Sequence, residues 1–142
     1  MTVFETRREK KATSIGARTA ASFVLLAYDG KKISEIHKKL KILKDSGYNI
    51  RGLGFRSAIE NPGYKSDELS SFLSVLDASG YRHFGDPLSL TEKGVNLLER
   101  KVLQEFVENH EFTERFARDA GLDLNQIIKK HLEKYLSSLD PK

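Results

Sequence analysis

Residues 80–94 read Gly-Tyr-Arg-His-Phe-Gly-Asp-Pro-Leu-Ser-Leu-Thr-Glu-Lys-Gly. A short alternating run, a Gly-Asp-Pro turn and a second short run predict a two-stranded hairpin. Thr91, followed by Glu92, is a helix cap with an acid in the first turn, so a helix starts directly after it. A small ribbon set between helices restricts the architecture, because its two strands cannot make a core of their own and must lie against a helical layer.

The rest of the chain is read by period and punctuation. Small and apolar residues dominate 17–28, and Asp-Gly-Lys-Lys at 29–32 ends that helix. Ile33, Ile36, Leu40 and Leu43 fall at helical spacing, with Gly47 placed to terminate the second helix. His37 lies at the margin of that apolar stripe and is expected to be a core-edge histidine, with Lys38 and Lys41 in solvent. Residues 48–65 contain Gly52, Gly54, Gly63 and Pro62, which predicts an irregular, partly extended link with a type II turn at Asn-Pro-Gly-Tyr. Ser66 caps a third helix whose inner face is Leu69, Phe72, Leu73 and Leu76.

After Thr91 a long helix carries one stripe of Val95, Leu98, Val102 and Phe106 and a neighbouring one of Leu103 and Val107. It is expected to run on to Gly121. Asp123 with Gln126 forms a capping box for a last amphipathic helix of Leu124, Ile128, Leu132, Tyr135, Leu136 and Leu139. The expected class is therefore mainly α with a small β-hairpin wing. The expected organisation is a basic flexible arm over 1–15, a winged-helix domain over 16–99, and carboxyl-terminal helices over 100–142 that dimerise through Leu103, Phe106, Val107, Leu124, Ile128, Leu132, Tyr135 and Leu136.

The 142 residues hold no cysteine, which removes disulfides, thiolate metal sites and cysteine nucleophiles. The longest apolar run, residues 23–28, is far below the roughly 20 residues of a membrane span, and the first residues lack a signal-peptide core. A cytoplasmic protein without a membrane partner is expected. Net charge is +4 and uneven: the first fifty residues hold eleven bases against five acids, and the remaining 92 carry −2. Such a half attracts polyanions, although a solvated lysine face has the same composition.

Residues 88–99, Leu-Ser-Leu-Thr-Glu-Lys-Gly-Val-Asn-Leu-Leu-Glu, resemble the second wing strand and following helix of MarR-like and PadR-like regulators. Residues 61–81 followed by Leu-Ser-Leu-Thr-Glu-Lys-Gly are similar to YwgA-like small winged-helix proteins, with Asn-Pro-Gly-Tyr-Lys-Ser where those have a Gly-Pro-Tyr-Ser type turn. The resemblance covers about 17–99 and implies a winged helix-turn-helix with appended carboxyl-terminal helices. It also implies a homodimeric, double-stranded-DNA-binding transcriptional regulator. No serine has a convincing partnered histidine and acid and the carboxylates show no special pairing, so neither an enzyme nor a cofactor is expected.

Candidate phosphate contacts are Arg7, Arg8, Lys10, Lys11 and Arg18 near the start, Arg51, Arg56 and Lys65 on the link, and Arg82 and His83 on the wing. The third helix opposes this function. Its outer side offers Asp67, Glu68, Ser70, Ser71, Ser74 and Asp77 and no base, and carboxylates repel phosphates. The alternative is a protein-interaction module whose acidic third helix faces a protein. His110 and Glu114 match part of the His-Glu-x-x-His pattern, but the second histidine is absent, so no metal site is expected. Arg-Gly-Leu-Gly-Phe at 51–55 lacks the Gly-Lys-Ser/Thr of a phosphate loop.

Overall fold

A computed structural model describes residues 14–139. Arg7, Arg8, Lys10 and Lys11 lie outside the described residues. The chain is mainly helical, with three two-stranded sheets among the described residues. The helices are α1 (Ala17–Ala27), α2 (Ile33–Asp45), α3 (Asp67–Ala78), α4 (Glu92–Glu108), α5 (His110–Ala120) and α6 (Leu124–Ser138). The strands are β1 (Ser14–Gly16), β2 (Asn49–Arg51), β3 (Arg56–Ser57), β4 (Tyr64–Lys65), β5 (Arg82–His83) and β6 (Ser89–Leu90). No helix among the described residues is long and apolar enough to cross a membrane.

The centre is α1, whose Phe23, Val24 and Leu25 are wholly buried among α2, α3, α4 and α5. Its sequence is apolar nearly all round, which suits a helix covered on every side. The predicted cap of α4 is present: Thr91 Oγ1 accepts from the Gly94 N–H at 3.1 Å. Asp123 Oδ1 likewise accepts from the Gln126 N–H at 3.2 Å.

Four sequence expectations are corrected. Residues 14 and 15 are not part of an arm: β1 pairs in parallel with β2, Ile15 opposite Ile50, and Ile15 is fully buried. An isolated isoleucine in a polar tail gives no period to read, and only the pairing reveals it. The hydrogen-bonded turn spans 60–63, one residue earlier than expected, closed by the Gly63 N–H on the Glu60 carbonyl at 2.6 Å, while Gly63 takes the positive φ (92°) expected of it. The link carries an antiparallel ribbon, Arg56 opposite Lys65 and Ser57 opposite Tyr64.

The long helix also breaks, at Asn109 (φ −145°, ψ 77°). Asn109 ends α4 by donating its N–H to Glu105 and starts α5 by accepting from the Thr113 N–H, at 2.8 and 2.9 Å. This bend returns Phe112, Phe116, Ala117 and Ala120 to the body, where Phe116 meets Phe23 edge-on at 5.1 Å and Tyr48 at 4.9 Å. Val102, Phe112, Phe116, Ala117, Ala120 and Leu124 therefore belong to one core with α1 to α3. The packing has no boundary at residue 99.

Candidate nucleic-acid interface

The hairpin β5–β6 pairs Arg82 with Leu90 and His83 with Ser89. It is fastened to the turn between α1 and α2. Leu88 accepts from the Gly30 N–H at 2.8 Å and donates its own N–H to the Lys31 carbonyl at 2.9 Å. Asp29 Oδ1 takes the Leu90 N–H at 3.0 Å, and Asp86 Oδ1 takes the Ile33 N–H at 2.9 Å, satisfying one free donor of the first turn of α2. From this fixed loop Phe84 projects with 90% of its surface exposed.

At the opposite end of α3 stands the β3–β4 ribbon, with a fully exposed Ile59 near its tip. The start of α3 is determined by Ser66, which is wholly buried. Its Oγ accepts from the Leu69 N–H at 3.3 Å, and its N–H donates to His37 Nδ1 at 3.0 Å. His37 is thus buried and singly committed, further inside than the core edge expected for it. Burial, then the nearby Lys65 ammonium, lowers its pKa to about 4 against a smaller opposing effect of Asp67.

Two of the three carboxylates that opposed the sequence reading, Asp67 and Glu68, are engaged within the chain. Asp67 Oδ1 receives Arg56 Nε at 2.8 Å. Glu68 Oε1 accepts from the Gly54 N–H at 2.8 Å and from Ser66 Oγ at 3.3 Å. The Gly54 loop N–H therefore faces this chain's own glutamate. Ser71 and Ser74 remain exposed on α3, with Ser70 and Asp77 half-exposed.

The candidate cations are distributed unevenly about α3. Arg18 stands over the Phe72 ring at 5.5 Å and shares a shallow hollow with Asp67, Glu68 and Ser71. Arg51 Nη1 donates to Ser14 Oγ at 2.8 Å and braces β1 against β2. Lys65 lines the concave side of the ribbon with Arg56 and Glu60. Arg82 turns back, an Nη2 N–H donating to the Gly85 carbonyl while its Nε is buried without a partner among the described residues. His83 is exposed on β5. The structure thus gathers Arg18, Arg56 and Lys65 near the start of α3 and places Arg82 and His83 past its end, with Arg51 apart.

Sequence reading missed Lys41 and Lys44. Lys41 Nζ lies 5.6 and 5.4 Å from the centres of Phe55 and Tyr64, and Lys44 Nζ lies 5.9 Å from Phe55 and donates to the Leu53 carbonyl at 2.8 Å. Lysines at i and i+3 share one helix side, and two aromatics in the link are what they hold.

Of the residues expected to dimerise, Leu124 is buried in the chain's own core and Ile128 packs against it, which removes both from an open face. Leu103 and Phe106 are half-buried, with Phe106 stacked on His110 at 4.5 Å. Val107, Leu132, Tyr135 and Leu136 are exposed. Among the described residues no group of three or more histidines and carboxylates is placed to hold a metal ion. No protein-family model, curated protein or solved structure matches this chain.

Proposed function

We propose that the chain is a winged-helix DNA-binding protein and transcriptional regulator that acts as a homodimer without catalytic activity. In this reading α2 and α3 are the helix-turn-helix pair, with the β3–β4 ribbon inserted between them, and β5–β6 is the wing. The observation that carries it is the state of α3. Its two first-turn carboxylates are engaged by Arg56, the Gly54 N–H and Ser66, leaving Ser70, Ser71, Ser74 and the single carboxylate of Asp77 between two hairpins that bear Arg56, Lys65, Arg82 and His83. Serine hydroxyls bond phosphates and base edges alike, while cations beside the helix supply the attraction.

A second reading, a protein-interaction module, draws on different observations. Arg56 and Arg82 already serve internal partners, and both hairpins display an exposed large apolar residue, Ile59 and Phe84. Titration of a fluorescent mixed-sequence duplex at low and moderate salt separates the two. The DNA reading requires affinity that falls steeply with salt, and a slope reduced by about one in each of Arg56→Ala and Arg82→Ala. Absence of binding at low salt overturns it.

A further inference from the structure

Helix α6 runs antiparallel to α4. Lys130 and His131 both reach Glu99 Oε1 at 2.9 Å, and Lys134, one turn later, reaches Asn96 Oδ1 at 3.4 Å, one turn earlier on α4. Asn96, Leu103 and Val107, spaced by seven and four residues, share one side of α4. The side that α6 covers at Asn96 thus continues to Leu103 and Val107, where Val107 is 75% exposed. The surroundings there are acidic: residues 104–114 contain Glu105, Glu108, Glu111 and Glu114 and no lysine or arginine.

The far end of α6 has the opposite character. Every residue from 132 to 139 is exposed, and Leu132, Tyr135, Leu136 and Leu139 form one apolar stripe at spacings of three, four and seven. Lys129 flanks it on one side, with Glu133 the one acid in residues 124–139. Two exposed turns of helix are not stable by intrinsic propensity alone and ordinarily have a surface to cover. Within one chain the stripe and Val107 lie toward opposite ends of α4 and do not meet.

We infer that the stripe of α6 docks on the Leu103–Val107 side of α4 in a second copy of this chain, with Lys129 toward Glu108 and Glu111. When two α4 helices lie antiparallel about a twofold axis, the exposed end of each α6 comes beside the carboxyl end of the partner's α4. Both contacts then form at once, as a self-complementary interface requires. The inference rests on the homodimer reading and names its mating surfaces, independently of DNA.

The test is light scattering across a dilution series of the full chain. A dimer is expected, with dissociation constants raised at least tenfold by Val107→Asp and by Leu136→Asp. Lys129→Glu and Glu108→Lys each weaken the dimer severalfold, and the double variant regains most of the loss. A wild-type monomer throughout overturns the homodimer reading itself. A dimer disrupted by Leu136→Asp but indifferent to Val107→Asp means that α6 pairs with α6 and overturns this inference alone, as does a dimer indifferent to both. Circular dichroism of each variant separates lost association from lost folding.

Discussion

The carbonyl oxygen of Tyr81 lies 1.8 Å from where a β-carbon on Gly94 would stand. The same carbonyl accepts the Thr91 N–H at 3.1 Å, so the end of α3, the start of the β5–β6 hairpin and the start of α4 converge on one peptide. Because the obstructing atom is backbone, it cannot rotate away as a side chain would. Gly94→Ala is therefore expected to destabilise the fold by about 3 kcal/mol, at the upper end for overpacking, and to lower Tm by about 10 °C. Thermal unfolding checks this; a loss under 1 kcal/mol would mean that α4 shifts freely against the β5–β6 hairpin.

His37 makes stability depend on pH in a defined window. Its pKa is about 4 in the fold and 6.5 when unfolded, so between those values the unfolded chain binds the extra proton. The bond from the Ser66 N–H to Nδ1 needs the neutral ring. Stability is expected to be unaffected by this group above pH 6.5, to fall as pH drops toward 4, and to level off below. The loss is about 2 kcal/mol after allowance for solvent screening. His37→Asn supplies an amide oxygen to the same N–H without taking up a proton. Urea unfolding at pH 7.5 and 4.5 should show a smaller difference in that variant than in the wild type, and equal differences would refute the assignment.

What could be read beforehand follows from how local each cause is. Thr91, Ser66 and Gly47 act within a turn of themselves, so the ends of α2, α3 and α4 are legible from neighbours in sequence. The β5–β6 hairpin was legible because Gly-Asp-Pro separates two short runs. The β1–β2 pair was not, since it joins Ile15 to Ile50 across 35 residues with no period in either segment. The break at Asn109 was hidden because helical spacing persists on both sides of it. At the candidate site, the charges of α3 were correctly named but their partners were not: Arg56 and Gly54 reach Asp67 and Glu68 only after the link folds back.

The pair of Arg56 and Asp67 is more than half exposed on both sides, so it contributes little to stability. Asp67→Asn should change unfolding free energy by no more than about 1 kcal/mol, mostly through the lost charge at the helix start. In the DNA reading it frees Arg56 and removes a repulsive carboxylate. Affinity for duplex DNA at low salt should then rise about three- to tenfold, measured by fluorescence anisotropy. Unchanged or weaker affinity would show that Arg56 does not face the nucleic acid.

Glu99 is 7% exposed and is held from α6 by Lys130 and His131 on the same oxygen. The two sides of this contact are unequal, because the lysine is nearly half exposed and the carboxylate is not. Removing Glu99 lets Lys130 turn to water, whereas removing both bases leaves a buried carboxylate without a partner. Glu99→Ala is accordingly expected to cost about 1 kcal/mol, and Lys130→Ala with His131→Ala about 3 kcal/mol. Urea unfolding measures the order, and hydrogen exchange should place the loss of protection in α6 before α1. The reverse order would mean that α6 is held by Ile127 and Leu124 alone and that the ion pair is incidental.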